Sequence, residues 1–257
     1  MTTRRGMLAA MLRSVALASL FGVGVSLATA DEPKPLKVCL ISGSIEYHSD
    51  ESLAELQTYL ESKYNVVCSR AFIVGKDIKH LPGLEHLADC DVALLFTRRL
   101  ELSGEELERI KAYCKSNKPL VGIRTASHAI QSYLELDKEV LGGNYKGHYK
   151  DGPETEIKIV DAAKESPLLV GVTPYRSIGS LYKNKEIAPD CTLLMTGTTE
   201  EATEPITWTR EPNGKRVFYT SLGHPQDFKE PSFLRMVANG LFWAANRPVQ
   251  TKPMQTK

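Results

Sequence analysis

Four short apolar runs, separated by polar or helically spaced segments, constrain this chain more than any other feature of its sequence. Residues 36–42, 65–72, 92–96 and 120–123 each read as a strand, too short for a helix, and the first reads as buried. After the first, residues 52–63 place Leu53, Leu56, Tyr59 and Leu60 on one helical face. After the third, Ser103 and Glu106 form an S-x-x-E capping box that opens a helix through about residue 116. Strands alternating with helices give βαβ units, hence a parallel sheet with right-handed crossovers and helices on both faces. The expectation is a doubly wound, mostly parallel α/β domain of flavodoxin-like type.

The second half is less regular. Residues 155–160 and 191–197 read as strands. Residues 206–210 and 216–221 flank Pro212-Asn213-Gly214, which predicts a β-hairpin near the C-terminus. Residues 232–246 form a closing helical pattern. No repeat, low-complexity tract or linker divides the chain. One domain is expected over residues 31–250, with a tail at 251–257.

The first 30 residues stand apart. They carry Arg4, Arg5 and Arg13 and no acid, then an apolar stretch over 15–28, then Ala28-Thr29-Ala30. This is the pattern of an export signal cleaved after Ala30, which places the mature protein in the periplasm. Thr3-Arg4-Arg5-Gly6-Met7-Leu8 resembles a twin-arginine motif; a Sec signal or a retained anchor is the alternative. No later stretch is long enough to span a bilayer. The whole chain sets 32 Lys and Arg against 31 Asp and Glu, so charge gives no case for nucleic acid. The five cysteines are odd in number and contain no C-x-x-C, which argues against a disulfide framework. Cys39 and Cys68 read as small buried hydrophobes.

In open α/β sheets ligands bind outside the carboxyl ends of the strands. Glu46, Tyr47 and His48 follow the first strand, Arg98 and Arg99 the third, Arg124, Ser127 and His128 the fourth, and His224 the last. A further loop runs from Gly142 and Gly143 through Tyr145 to His148. A single loop histidine is more often a surface hydrogen-bonding group than a catalyst. The topology, however, gathers His48, His128 and His224 at one sheet edge. Two chemistries stay open. His128, His148, His224 and Glu46 could act as acid–base catalysts, with Tyr47, Arg124 and Tyr145 binding substrate. Alternatively, His48, His148 and His224 could hold a divalent metal such as zinc, although no H-x-H or H-E-x-x-H spacing supports it. The arginines could equally pair with local acids such as Glu101. No G-x-G-x-x-G, Walker A or G-x-S-x-G motif occurs. Ser127 beside His128 is a weak nucleophile pair, and Cys114 lies within a helical pattern.

Three segments resemble one family. Residues 121–128, with Gly122-Ile123-Arg124, are similar to its "vGiHsa" turn. Residues 141–148 are similar to its "lGG-x-f-x-x-H" segment. Residues 216–224 and 239–244 resemble its closing "rvfyt-s-lGH … ngi-x-WA". The family is the ThuA-like, or trehalose-utilisation, family. The resemblance implies a fold like the class I glutamine amidotransferases and a role in sugar metabolism, with keto-disaccharides among the substrates. Two departures matter: the amidotransferase elbow cysteine is absent, so glutamine hydrolysis is not expected, and the family's usual histidine is Arg124. The expectation is an exported hydrolase, lyase or isomerase acting on a small carbohydrate. The alternative is a non-catalytic sugar-binding protein, with Tyr145 and Trp208 as stacking platforms. A structural or assembly role would rest only on the unassigned loop at 171–185.

Overall fold

In a computed structural model, which describes residues 34–252, the four apolar runs become β1 (Leu36–Gly43), β2 (Val66–Phe72), β3 (Val92–Thr97) and β4 (Leu120–Ile123). α1 (Ser49–Lys63) links β1 to β2, and α2 (Gly104–Lys115) links β3 to β4. Then follow β5 (Thr155–Ile159), β6 (Arg176–Ser177), β7 (Cys191–Thr198), β8 (Thr203–Arg210), β9 (Val217–Thr220) and α3 (Pro231–Ala244). The expected export signal and residues 253–257 of the tail lie outside the described residues. Thr251 bridges to Tyr64, and the Lys252 N–H donates to the Lys63 carbonyl.

The strands form one mixed sheet of order β2-β1-β3-β4-β9-β8-β7-β5-β6. Pairings from β2 to β9 are parallel and those from β9 to β6 are antiparallel. Every residue of β3 is buried, because both faces of the sheet are covered. On one face Leu53, Leu56 and Leu60 of α1 pack in the same core as Phe233, Val237 and Leu241 of α3. On the other, Ile110 and Tyr113 of α2 join Leu84, Leu87 and Trp208. The doubly wound α/β expectation therefore holds.

The hairpin is present, with β8 and β9 joined across Pro212–Gly214. Two details differ from the sequence reading. Ser103 sits at the N-cap of α2 but makes no side-chain capping bond; the Glu106 carboxylate instead accepts the Leu81 N–H at 2.9 Å. Trp208 cannot stack on a ligand, since it is buried against Tyr219 and its indole N–H donates to the Leu141 carbonyl at 2.7 Å. All five cysteines are free thiols, and burial pushes those of Cys39 and Cys68 up to about 12. Among the described residues, no helix is long and apolar enough to cross a membrane.

Candidate functional site

The loops after β1, β3 and β4 meet the 142–148 loop around a cavity of about 580 Å³, within the usual range for a small-molecule site. Glu46 and Tyr47 come from the first loop, Arg98 and Arg99 from the second, and Ser127 and His128 from the third. Tyr145 and His148 enter from the 142–148 loop, and Asp137 and Tyr182 complete the wall.

Beneath this cavity lies Arg124, which directly follows β4 in the left-handed region at φ 45°. A non-glycine residue stays there only where its surroundings over-determine it. Here they do. The Tyr219 hydroxyl donates to the Arg124 carbonyl at 2.7 Å. The guanidinium donates to the Ser221 carbonyl at 2.9 Å, the Tyr47 hydroxyl at 3.1 Å and Ser180 Oγ at 3.2 Å. It also lies over the rings of Tyr47 and Tyr182, 4.4 and 4.7 Å from their centroids. Arg124 is 1% exposed and does not line the cavity. Its contacts are with the protein, where ligand hydroxyls had been expected.

His128 and Tyr145 stack with ring centroids 4.4 Å apart and planes 14° apart, and the Tyr182 ring is 4.7 Å from that of Tyr145. Ser127 Oγ and His128 Nδ1 share a hydrogen bond at 3.0 Å, so these neighbours are aimed at each other after all. Burial pushes the His128 imidazole down to about 3, helped by the charges of Arg98, Arg99 and Arg124. It is therefore neutral near pH 7. Asp137 behaves in the opposite way. Burial raises its carboxyl to about 6, although the Tyr145 N–H donates to Oδ2 at 2.8 Å and Lys146 lies nearby. Its Oδ1 has no hydrogen-bond partner. A Cβ on Gly143 would come within 2.1 Å of that oxygen, so glycine there makes room for the carboxyl.

The remaining expected site residues are dispersed. Glu46 lines the cavity but pairs with Arg98 at 2.7 Å. His148 lines it too; its Nδ1–H donates to the Tyr149 carbonyl at 2.7 Å, which leaves Nε2 as the acceptor in the neutral ring. His224 stands edge-on to Tyr47 with ring centroids 6.4 Å apart. Its Nδ1 accepts the Gln226 N–H, burial lowers its pKa, and it does not line the cavity. His48 is an exposed left-handed residue beside a separate pocket of about 240 Å³. The three expected metal ligands thus occupy three different surroundings. Among the described residues, no group of three or more His, Cys, Asp or Glu side chains is placed to hold a metal ion, so the donors do not fit that expectation.

Sequence reasoning missed Asp137 and Tyr182. Asp137 sits among Glu135, Lys138 and Glu139, which read as a solvated helical face. Only the adjoining Gly142-Gly143 pair hinted that the chain turns back over it. Tyr182 lies in the segment that carried no periodicity.

Fold and site together define a doubly wound α/β protein with a polar, aromatic-walled cavity at the carboxyl edge of its sheet. The family model for ThuA, trehalose utilisation, matches residues 38–244, and the chain belongs to that family. Among solved structures it is similar to a ThuA-like protein from Parabacteroides merdae, at 19% identity over 86% of this chain and 94% of that one, with a TM-score of 0.64. A ThuA-like protein from Bacteroides uniformis matches at 13% identity over 85% and 94%, with a TM-score of 0.63. A cytoplasmic protein from Salmonella typhimurium matches at 16% over 84% and 100%, with a TM-score of 0.56. At these identities the likeness speaks for the fold. Comparison with curated proteins finds no match.

Proposed function

We propose that this protein is an exported enzyme of carbohydrate utilisation that works by proton transfer in the cavity. The observation that carries this reading is Asp137, a largely buried carboxyl that lines the cavity and whose pKa burial raises to about 6. A desolvated carboxylate is a strengthened base, suited to taking a proton from a sugar hydroxyl or from carbon beside a keto group. Tyr145 offers a ring to the apolar face of a sugar, and neutral His128 backs that ring. His148 Nε2 supplies a second acceptor. Arg124 acts as a positioning residue through Tyr47. Residues 1–30 support export, and family membership supports a sugar substrate.

The test is turnover of trehalose, its keto-disaccharide relatives and the uronate and phosphate derivatives of these sugars by the wild-type chain and by Asp137→Asn. The variant is expected to lose about 10²–10⁴ in kcat/KM while still binding substrate. Wild-type kcat/KM is expected to fall as pH drops through about 6, where Asp137 becomes protonated. Undiminished turnover in the variant would remove Asp137 from the mechanism. Binding without turnover by the wild-type chain would favour a non-catalytic sugar-binding protein, a reading that the loss of the elbow cysteine and of the usual histidine, here Arg124, permits.

A further inference from the structure

The cavity wall carries more positive charge than the chain as a whole. Arg98, Arg99, Lys138 and Lys146 all line it, against Glu46 and Asp137. Glu46 is taken up by Arg98 at 2.7 Å. Asp137 carries one negative charge near pH 7, set against the three cations that remain. The side chains of Arg99, Lys138 and Lys146 form no ion pair or hydrogen bond among the described residues, and all three residues are exposed. Beneath them Arg124 is buried with its Nε unpartnered, and all its hydrogen bonds go to neutral acceptors. This concentration is local, because the full chain has a net charge of only +1.

We infer that the ligand of this cavity is an acidic sugar, carrying a carboxylate or a phosphate, rather than a neutral one. The inference rests on the carbohydrate reading above and narrows its substrate class. Arg99 is the anchor. Its backbone is fixed at the rim in the left-handed region, at φ 47°, and its N–H donates to the His128 carbonyl at 2.8 Å. Its backbone is thereby held beside His128, its charge acts on His128 and Tyr145, and its guanidinium fork is left free for a planar or tetrahedral anion. Lys138 and Lys146 add point charges from the segment that also carries Asp137. A neutral sugar could accept hydrogen bonds from these groups but would leave their charges uncompensated.

Calorimetric titration of the full chain with glucose, glucuronate and glucose 6-phosphate tests this. At least one acidic probe is expected to bind about tenfold more tightly than glucose at low salt, with the preference shrinking at 0.5 M salt. Preference for glucuronate alone assigns a carboxylate, and preference for glucose 6-phosphate alone a phosphate. The exposed double variant Arg99→Gln/Lys146→Gln is expected to bring the three affinities within about twofold of one another. Equal binding of all three probes by the wild-type chain would overturn the acidic-sugar inference and leave the carbohydrate reading standing. Failure to bind any of them would overturn both.

Discussion

At Asp137 one carboxylate oxygen lacks a partner inside the protein, and the cost of that appears as a pH dependence of stability. The folded carboxyl titrates near 6 and the unfolded one near 3.8. Below 3.8 both states are protonated and the group contributes nothing. Between 3.8 and 6 the unfolded chain ionises first, so stability falls as pH rises through this window. Above 6 the full penalty remains, about 3 kcal/mol for a shift of this size. Asp137→Asn is therefore expected to raise stability at pH 7.5 by about 1–3 kcal/mol in urea unfolding, and to change it little at pH 3.5. Equal effects at both pH values would mean that the charge is not the cause. His128 runs the other way: its folded pKa is depressed to about 3, so it contributes nothing above about 6.5 and destabilises the fold increasingly as pH falls from 6.5 towards 3. Both shifts come from burial by residues distant in sequence, which is why neither was legible in it. His128 and His148 could be named as candidates because they follow strand and loop patterns. Asp137 could not, because its neighbours in sequence are solvent-facing charges. His224 and Arg124 follow strands at the same sheet edge but do not line the cavity.

The element that makes the site is the run from Asp137 to His148. It begins with one wide helical turn, Asp137–Leu141, closed by Gly142 at φ 75°. A Cβ at Gly142 would lie 2.5 Å from Cys191 Sγ and 2.8 Å from Arg210 Cδ, so a side chain there is both strained and overpacked. Gly142→Ala is expected to destabilise the protein by about 2–4 kcal/mol and to weaken sugar binding, since it displaces the loop that holds Tyr145 and His148. A melting temperature and affinity equal to wild type would show that the loop does not depend on this turn. The long apolar strands and amphipathic helices were readable because their periods are set by burial. The two-residue β6 and the wide turn have no period to read, and the α2 cap was misjudged because Leu81, from another segment, recruits Glu106.

Across the whole molecule, β9 is the strand on which both halves of the sheet depend: it pairs parallel with β4 and antiparallel with β8. A chain ended after Gly214 lacks both β9 and α3. It is expected to show no cooperative thermal transition by circular dichroism, whereas a native-like melt would prove the halves independent. The order of the sheet also sets a timetable for biogenesis. β4 leaves the ribosome about 90 residues before β9, a delay on the order of 5–20 s at ordinary synthesis rates. Throughout that interval one edge of β4, in a hydrophobic parallel ribbon, has no partner. That edge is open to pairing with another chain until translation is nearly complete.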